Sequence, residues 1–110
     1  MVKSRTYSRY SIDAAILLGK QIRLGRKQHQ WSEAELAERA GISRSTVKKI
    51  EKGDMTCAVG LMFETAALVG VTLFSSDRVS FSRQSHHADD KIALLPKAIH
   101  KAKIEVDDDF

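Results

Sequence analysis

The feature that most constrains the fold is a pair of short helical patterns joined by one glycine, "WSEAELAERAGISRSTVKKIEKG", residues 31–53. Ser32 followed by Glu35 is a capping box, in which each side chain accepts a hydrogen bond from the other residue's backbone N–H, so a helix is predicted to begin there. Gly41 ends that helix and Ser43 caps the next one. Because helices this short gain most of their stability from tertiary packing, the pattern predicts a small helical bundle.

Apolar residues at helical spacing predict further helices on both sides of this stretch. The first helix is expected to begin with Ser11 as its N-cap and to continue to about Gln28. Another is expected to follow Thr56 as N-cap and to end at Gly70, and "VTLFS" after it is a candidate for a short fifth turn. The sequence therefore predicts an all-α domain over residues 11–76.

The segments outside this domain are predicted to differ from it. Residues 1–10 form a basic N-terminal arm. Residues 77–90 are interpreted as strand or linker, because Val79 and Phe81 in "RVSFSR" alternate with polar neighbours and no second such run lies nearby. Two interpretations stay open: a strand that pairs with its copy in a second protomer, or an extended linker. Residues 91–110 are a C-terminal tail that closes with three aspartates and a phenylalanine.

The charge of the chain is unevenly divided along its length. Residues 1–55 hold 12 Lys and Arg against 6 Asp and Glu, whereas residues 56–110 hold 6 against 8. A basic half joined to a mildly acidic one suggests a surface for a polyanion and a separate, different surface, with a solvated charged face as the alternative. The apolar runs are too short for a membrane span, the N-terminus has no apolar signal region, and Cys57 is the only cysteine. We therefore expect a cytoplasmic protein without membrane contact.

Catalytic and metal sites are not predicted. His86, His87, Asp89 and Asp90 could be imagined as metal ligands, but adjacent histidines in a linker match no structural zinc spacing. The sequence has no glycine-rich phosphate loop, and no nucleophile, base and orienting group are arranged for catalysis. We expect no cofactor and no enzymatic activity.

The helix that follows Gly41 has an outward face suited to DNA. The major groove of B-DNA accepts an α-helix, whose N-terminal side chains read base edges while the preceding helix braces against the backbone. Lysine and arginine bond guanine edges or phosphates, and serine hydroxyls bond bases at close range. The outward residues of this helix are Ser43, Arg44, Ser45, Lys48, Lys49 and Lys52. The first helix adds Lys20, Arg23 and Lys27.

Residues 18–74 resemble the phage-repressor (Cro-like), or XRE, family of helix-turn-helix domains. The matching segments are Leu18-Gly19, Ile22-Arg23 and Arg26 in the first helix, "SEAELAERAGIS" across the turn, "STVKKIEKG" in the reading helix and "AALVGVTLF" at the end. The resemblance implies a five-helix α bundle that binds double-stranded DNA.

The resemblance also implies a role for individual residues. Arg44, Ser45 and Lys49 match positions that contact base edges, and Ser43 and Lys48 lie nearby for phosphate or base. Ser32 matches a phosphate contact at a helix N-terminus, while Arg26 and Glu51 match a partly buried ion pair. Further contacts to phosphate or groove are expected from Arg23, Lys52 and, in the arm, Arg5.

Two acidic residues depart from the family pattern. Glu33 stands where the family usually has glutamine, and its carboxylate would repel the phosphate that the glutamine normally holds. Asp54 stands in the loop after the reading helix, which is often basic in the family. Both departures predict weaker contact with phosphates, for which the basic arm can compensate.

A second resemblance concerns the partners of the chain. In its size, in the possible strand just after the bundle and in its tail, "LLPKAIHKAKIEVDDDF", the chain is similar to HipB-like antitoxins, which regulate their own operon and hold a HipA-like kinase. This implies a homodimer on an inverted-repeat operator, with a HipA-like kinase toxin or its companion subunit as partner. The alternative is a protein interaction module that keeps the helix-turn-helix scaffold, binds DNA weakly and acts mainly through its tail.

Overall fold

The computed structural model describes residues 5–74 and 77–98, and these residues form five α-helices and no strand. The helices are α1 (Arg9–Gln28), α2 (Glu33–Ala40), α3 (Arg44–Glu51), α4 (Val59–Leu68) and α5 (Arg78–Ala93). The chain divides into two units, Met1–Phe74 and Ser75–Phe110, so that α1 to α4 form the first unit and α5 belongs to the second. The predicted all-α class is confirmed for the described residues.

The turn between α2 and α3 has the geometry that the capping residues predict. Ser32 Oγ accepts a hydrogen bond from the backbone N–H of Glu35 at 3.1 Å, and Glu35 Oε1 accepts one from the N–H of Ser32 at 3.0 Å. Gly41 ends α2 with φ +70°, a left-handed conformation that glycine adopts at little cost. Ser43 Oγ then accepts from the N–H of Thr46 at 3.0 Å and starts α3. The reversal is therefore specified locally.

The core of the first unit lies where its four helices meet. Its fully buried apolar side chains are Ile22, Leu36, Val47, Ile50 and Ala66. Burial of each large aliphatic side chain stabilises the fold by about 1.5–3 kcal/mol. Close packing of α1 on α3 requires glycine at position 19, because a Cβ there would lie 2.6 Å from the carbonyl oxygen of Ile50.

A buried ion pair joins α1 to the end of α3. Arg26 Nε and Nη2 donate to the two carboxylate oxygens of Glu51 at 2.7 and 3.0 Å, and Arg26 Nη1 donates to the carbonyl of Trp31 at 3.0 Å. Both side chains are more than nine-tenths buried. The hydrogen bonds that Arg26 donates to Glu51 raise the pKa of Arg26 above its ordinary value, against the opposing effect of burial. One guanidinium thus fixes α1, the loop before α2 and α3 relative to each other.

Several predicted helix boundaries differ from the structure. The helix α1 begins at Arg9, inside the predicted arm, because Ser8 rather than Ser11 is its N-cap. The helix α4 begins at Val59 without a side-chain cap, because Thr56, the predicted cap, bonds Asp54 instead. Residues 71–74 are not helical, so the fifth helix is α5 and not the turn predicted at "VTLFS".

The strand considered for "RVSFSR", residues 78–83, is wrong, because these residues lie in α5. Val79 and Phe81 lie in the first turn and a half of α5, so they form no strand through which two protomers could pair. The alternation in "RVSFSR" is only six residues long and is weak evidence for a strand. Asp77 is the N-cap of α5, and its Oδ1 accepts a hydrogen bond from the N–H of Ser80 at 2.7 Å. Of the predicted tail, residues 91–93 complete α5, and residues 99–110 lie outside the described part of the chain.

Glu51→Ala is expected to destabilise the first unit by about 3–5 kcal/mol, because it leaves the buried Arg26 cation without its partner. Urea unfolding followed by the fluorescence of Trp31 measures this change. Arg9→Ala removes the exposed Arg9–Asp13 pair, at 3.3 Å on α1, and should cost no more than about 0.5 kcal/mol. Equal costs for the two variants would contradict a structural role for the buried pair.

Candidate DNA interface

The helix α3 presents its apolar side to the core and its polar side to solvent. Val47 and Ile50 are fully buried, whereas the side chains on the opposite face are exposed. The exposed residues are Ser43, Arg44, Ser45, Lys48, Lys49 and Lys52. Since an α-helix with its side chains is about 10–12 Å across and the major groove about 12 Å wide, this face has the dimensions and donors that groove binding needs.

The two capping serines stand at the N-termini of α2 and α3. Ser32 uses an oxygen lone pair for its cap, which leaves its hydroxyl hydrogen able to donate to a phosphate. Ser43 shares a 2.8 Å hydrogen bond with the hydroxyl of Thr46 in addition to its cap. Both residues are exposed, so the caps that define the turn also place hydroxyl groups on the surface beside the basic face.

Three of the predicted phosphate or groove residues come together in one hollow. Arg23 of α1, Lys48 of α3 and Lys52, the C-cap of α3, line a cavity of about 230 Å³ together with Glu33 and Glu51. The carboxylate of Glu51 is already bonded to Arg26, so the cations exceed the free negative charge around the hollow. The hollow therefore has the sign of potential that attracts a phosphate.

Glu33 forms an ion pair that sequence reasoning missed. Its Oε1 lies 3.7 Å from Nε of Arg44, across the turn between α2 and α3. The glutamate side chain is 29% exposed and that of the arginine 63% exposed. Glu33 therefore holds a residue predicted to read bases, in addition to opposing phosphate. The sequence does not indicate this pair, because Glu33 and Arg44 lie on different helices and their spacing in the sequence does not bring their side chains together.

Asp54 stays negatively charged next to the end of α3. Hydrogen bonds from the hydroxyl and then the backbone N–H of Thr56 lower the pKa of Asp54, and Lys49 adds a smaller effect of the same sign. The Asp54 N–H also donates to the carbonyl of Lys49 at 3.0 Å. A fixed carboxylate therefore lies beside one of the predicted base-reading cations.

The arm and the loop before α2 contribute aromatic contacts. The Arg5 guanidinium lies 5.8 Å from the centroid of the Tyr7 ring, and residues 1–4 of the predicted arm lie outside the described part of the chain. At the other end of the unit, the Arg39 guanidinium lies 4.3 Å from the centroid of the Trp31 ring. The Trp31 contact was not predicted, although a lone tryptophan directly before a capping box could have indicated it.

Other kinds of site have little support in residues 5–74 and 77–98. No group of three or more His, Cys, Asp or Glu side chains in these residues could hold a metal ion. Burial raises the pKa of the Cys57 thiol, which disfavours a reactive thiolate. None of the helices in these residues has both the length and the apolar character that crossing a membrane demands.

Thr56→Val is expected to raise the pKa of Asp54 toward its ordinary value, because it removes the hydroxyl bond that lowers that pKa most. A carboxyl pKa that is lower in the folded than in the unfolded protein adds stability above the unfolded value, and this stability is lost as pH falls through the folded value. The variant should therefore shift that loss to higher pH. Carbon NMR titration of the carboxyl groups measures the change, with Thr72→Val as control; an unaltered Asp54 titration would rule out the hydroxyl as the cause.

The chain is similar to one known protein family and to several solved structures. Residues 22–73 match the family described as Helix-turn-helix. No curated protein sequence matches the chain. Among solved structures, a "HipA-HipB-O2-O3 complex" is 21% identical with a TM-score of 0.50, over 68% of this chain and 97% of that one. A "HipB-O1-O2 complex" is also 21% identical with a TM-score of 0.50, over 68% of this chain and 100% of the other.

At these identities the likeness to the solved structures concerns the fold. The family match covers α2, the glycine turn, α3 and α4, together with the part of α1 that carries Arg26. The match of residues 22–73 to the helix-turn-helix family confirms the resemblance on which the sequence analysis was based.

Proposed function

We propose that this protein is a sequence-specific DNA-binding transcriptional repressor that acts in the cytoplasm and inserts α3 into the major groove. The observation that carries the proposal is the exposed face of α3, on which cations and hydroxyls stand beside the basic hollow of Arg23, Lys48 and Lys52. Helix-turn-helix domains use the second helix of the pair in this way. No catalytic step is part of the proposal.

Each predicted site residue takes one of two roles in this proposal. Arg44, Ser45 and Lys49 read base edges, because they lie on the exposed face of α3 and carry the donors that bases accept. The others hold the duplex through phosphate or groove contacts that carry no sequence information directly. These positioning residues are Ser32, Ser43, Lys48, Arg23, Lys52 and Arg5.

The proposed assembly is a homodimer on an inverted-repeat operator. A two-fold axis in the protein matches the two-fold symmetry of such a site, and the two copies of α3 would then enter major grooves about 34 Å apart. We further propose that the protein is the antitoxin and autoregulator of a HipA-like kinase module, with that kinase or its companion subunit as partner. The fold shared with HipB, including HipB in a complex with HipA, supports this role.

A second candidate function is a protein interaction module with weak DNA binding. Glu33 and Asp54 bring two carboxylates to the face proposed to meet phosphates, and this favours the alternative. The end of α5 and the residues after it also expose apolar side chains, with Ile92 at 65%, Leu94 at 86% and Leu95 at 66%. In this function the segment 91–110 carries the main contacts.

Arg44→Ala and Lys49→Ala are each expected to weaken operator binding by about 1–3 kcal/mol and to reduce the preference for operator over scrambled DNA, because a base contact is lost. Fluorescence anisotropy with both duplexes at two salt concentrations measures the affinity and its salt slope. Lys91→Ala, which removes a cation from α5, should change neither.

The same titration separates the two candidate functions. An operator preference that persists at the higher salt supports the repressor, since nonspecific binding comes from phosphate contacts and falls steeply as salt rises. Weak binding that is equal for both duplexes and lost at the higher salt, with partner capture abolished by deletion of residues 91–110, supports the interaction module and contradicts the repressor.

Glu33→Gln is expected to tighten binding to scrambled DNA more than to operator, because it removes a negative charge facing phosphates and releases Arg44 from its 3.7 Å pair. The gain should be roughly 1 kcal/mol or less, as for other partly exposed ion pairs. Anisotropy on both duplexes measures it, and Glu64→Gln on α4 is the matched control. Weaker binding to both duplexes would contradict the assigned role of Glu33.

A further inference from the structure

The helix α1 carries an apolar stripe on the side that it does not bury in the core. The residues of the stripe recur at alternating steps of four and three, which is the spacing of a helix-to-helix seam. Its apolar residues are Tyr10, Ala14, Leu17 and Leu24, with Gln21 and Gln28 at the two remaining positions, and all six are exposed. Tyr10 is 85% exposed, Leu17 56% and Leu24 57%. Three large apolar side chains in one row are more than the scattered exposure usual on a protein surface.

A groove of about 280 Å³ lies beside the C-terminal half of this stripe. Leu24 and its neighbours on α1 form one wall, and residues 69–72 form the other. The groove is narrow at its base because α1 has glycine at position 25, where a Cβ would lie 2.7 Å from the carbonyl oxygen of Val69. The first unit therefore has an apolar concavity next to Leu24 and a projecting aromatic ring at Tyr10.

From this geometry we propose that the α1 stripe is the interface between two copies of this chain, packed antiparallel about a two-fold axis through Leu17. Tyr10 precedes Leu17 by seven residues and Leu24 follows it by seven, so both lie about 10.5 Å from the axis along the helix. The Tyr10 ring of each copy therefore reaches the groove beside Leu24 of the other, and the contact occurs twice, as a two-fold interface requires.

The charges on the flank of the stripe are complementary in the same arrangement. Asp13 and Lys20 lie on one side of the stripe and are both exposed. In an antiparallel pair centred on Leu17, Asp13 of one copy lies next to Lys20 of the other. Asp13 pairs with Arg9 at 3.3 Å within its own helix, so its carboxylate would bridge two cations. In a parallel pair the two copies of this flank would lie on opposite sides of the seam, so Asp13 of one copy would not meet Lys20 of the other.

The length of the α1 stripe is consistent with a dimer of moderate affinity. Residues 10–28 span about 27 Å of helix, and one pair of helices of this length, with two inserted aromatic rings, falls near the lower limit of about 1,000 Å² for a specific interface. The interface deepens the proposed function, because it supplies the dimer that an inverted-repeat operator needs. It replaces the strand pairing that the fold of residues 78–83 rules out.

Sedimentation equilibrium of the full chain and its variants tests the interface. Leu17→Asp and Tyr10→Ser should each raise the dimer dissociation constant about tenfold or more. The first removes the apolar contact at the two-fold axis, and the second removes the ring that enters the groove of the other copy. Val59→Asp, at a residue 61% exposed on α4, is the matched control and should leave the constant unchanged. Far-UV circular dichroism shows whether each variant keeps its helices.

A charge exchange keeps the test valid if an apolar variant loses its fold. Asp13→Lys should weaken the dimer because it opposes Lys20 of the other copy, and adding Lys20→Asp in the same chain should restore it. A wild-type chain that stays monomeric, a Leu17→Asp dimer as tight as wild type, or a double exchange that restores nothing would each overturn the interface. Operator preference is measured in a separate anisotropy experiment. If the wild-type chain dimerises through Leu17 but shows no operator preference, the repressor function is refuted and the interface is not.

Discussion

The helix-turn-helix geometry depends on one buried guanidinium. Arg26 is the only residue of α1 that bonds both the end of α3, through Glu51, and the loop that leads into α2, through the carbonyl of Trp31, among the hydrogen bonds of the described residues. The apolar core holds the helices together, but the burial of apolar surface is non-directional. Two parallel hydrogen bonds to one carboxylate are directional, so they fix the angle at which α3 presents its outer face.

The outer face that this pair orients carries both signs of charge. Arg23, Lys48 and Lys52 line the hollow together with Glu33, and Asp54 lies close enough to Lys49 for the two charges to interact. Each carboxylate weakens the contribution of phosphate contacts, which are the same for every sequence. A protein with weaker phosphate contacts must obtain more of its affinity from base contacts or from a second bound copy. In the proposed repressor, the two acidic residues would therefore favour selectivity over strength of binding.

Sequence reasoning predicted the parts of the fold that are specified locally. The capping box at Ser32, the left-handed glycine at 41 and the cap at Ser43 each act within four residues, so pattern and structure agree there. Residues 78–83 were interpreted as strand or extended linker because six residues are too few to distinguish a period of two from one of 3.6. The contact between Glu33 and Arg44 could not be predicted, since it depends on the angle between two helices.

The pattern of α1 was interpreted incompletely for a related reason. The sequence shows apolar residues at helical spacing, and Ile22 with its buried neighbours accounts for one face of the helix. The spacing alone does not show that Leu17 and Leu24 lie on a different face, because only the packing of α1 on α3 and α4 defines which side is buried. Gly19 and Gly25 determine that side by allowing backbone to approach backbone where any Cβ would clash. Once these two glycines face the core, the row from Tyr10 to Gln28 lies on the solvent side of α1, which is the side proposed to meet a second copy.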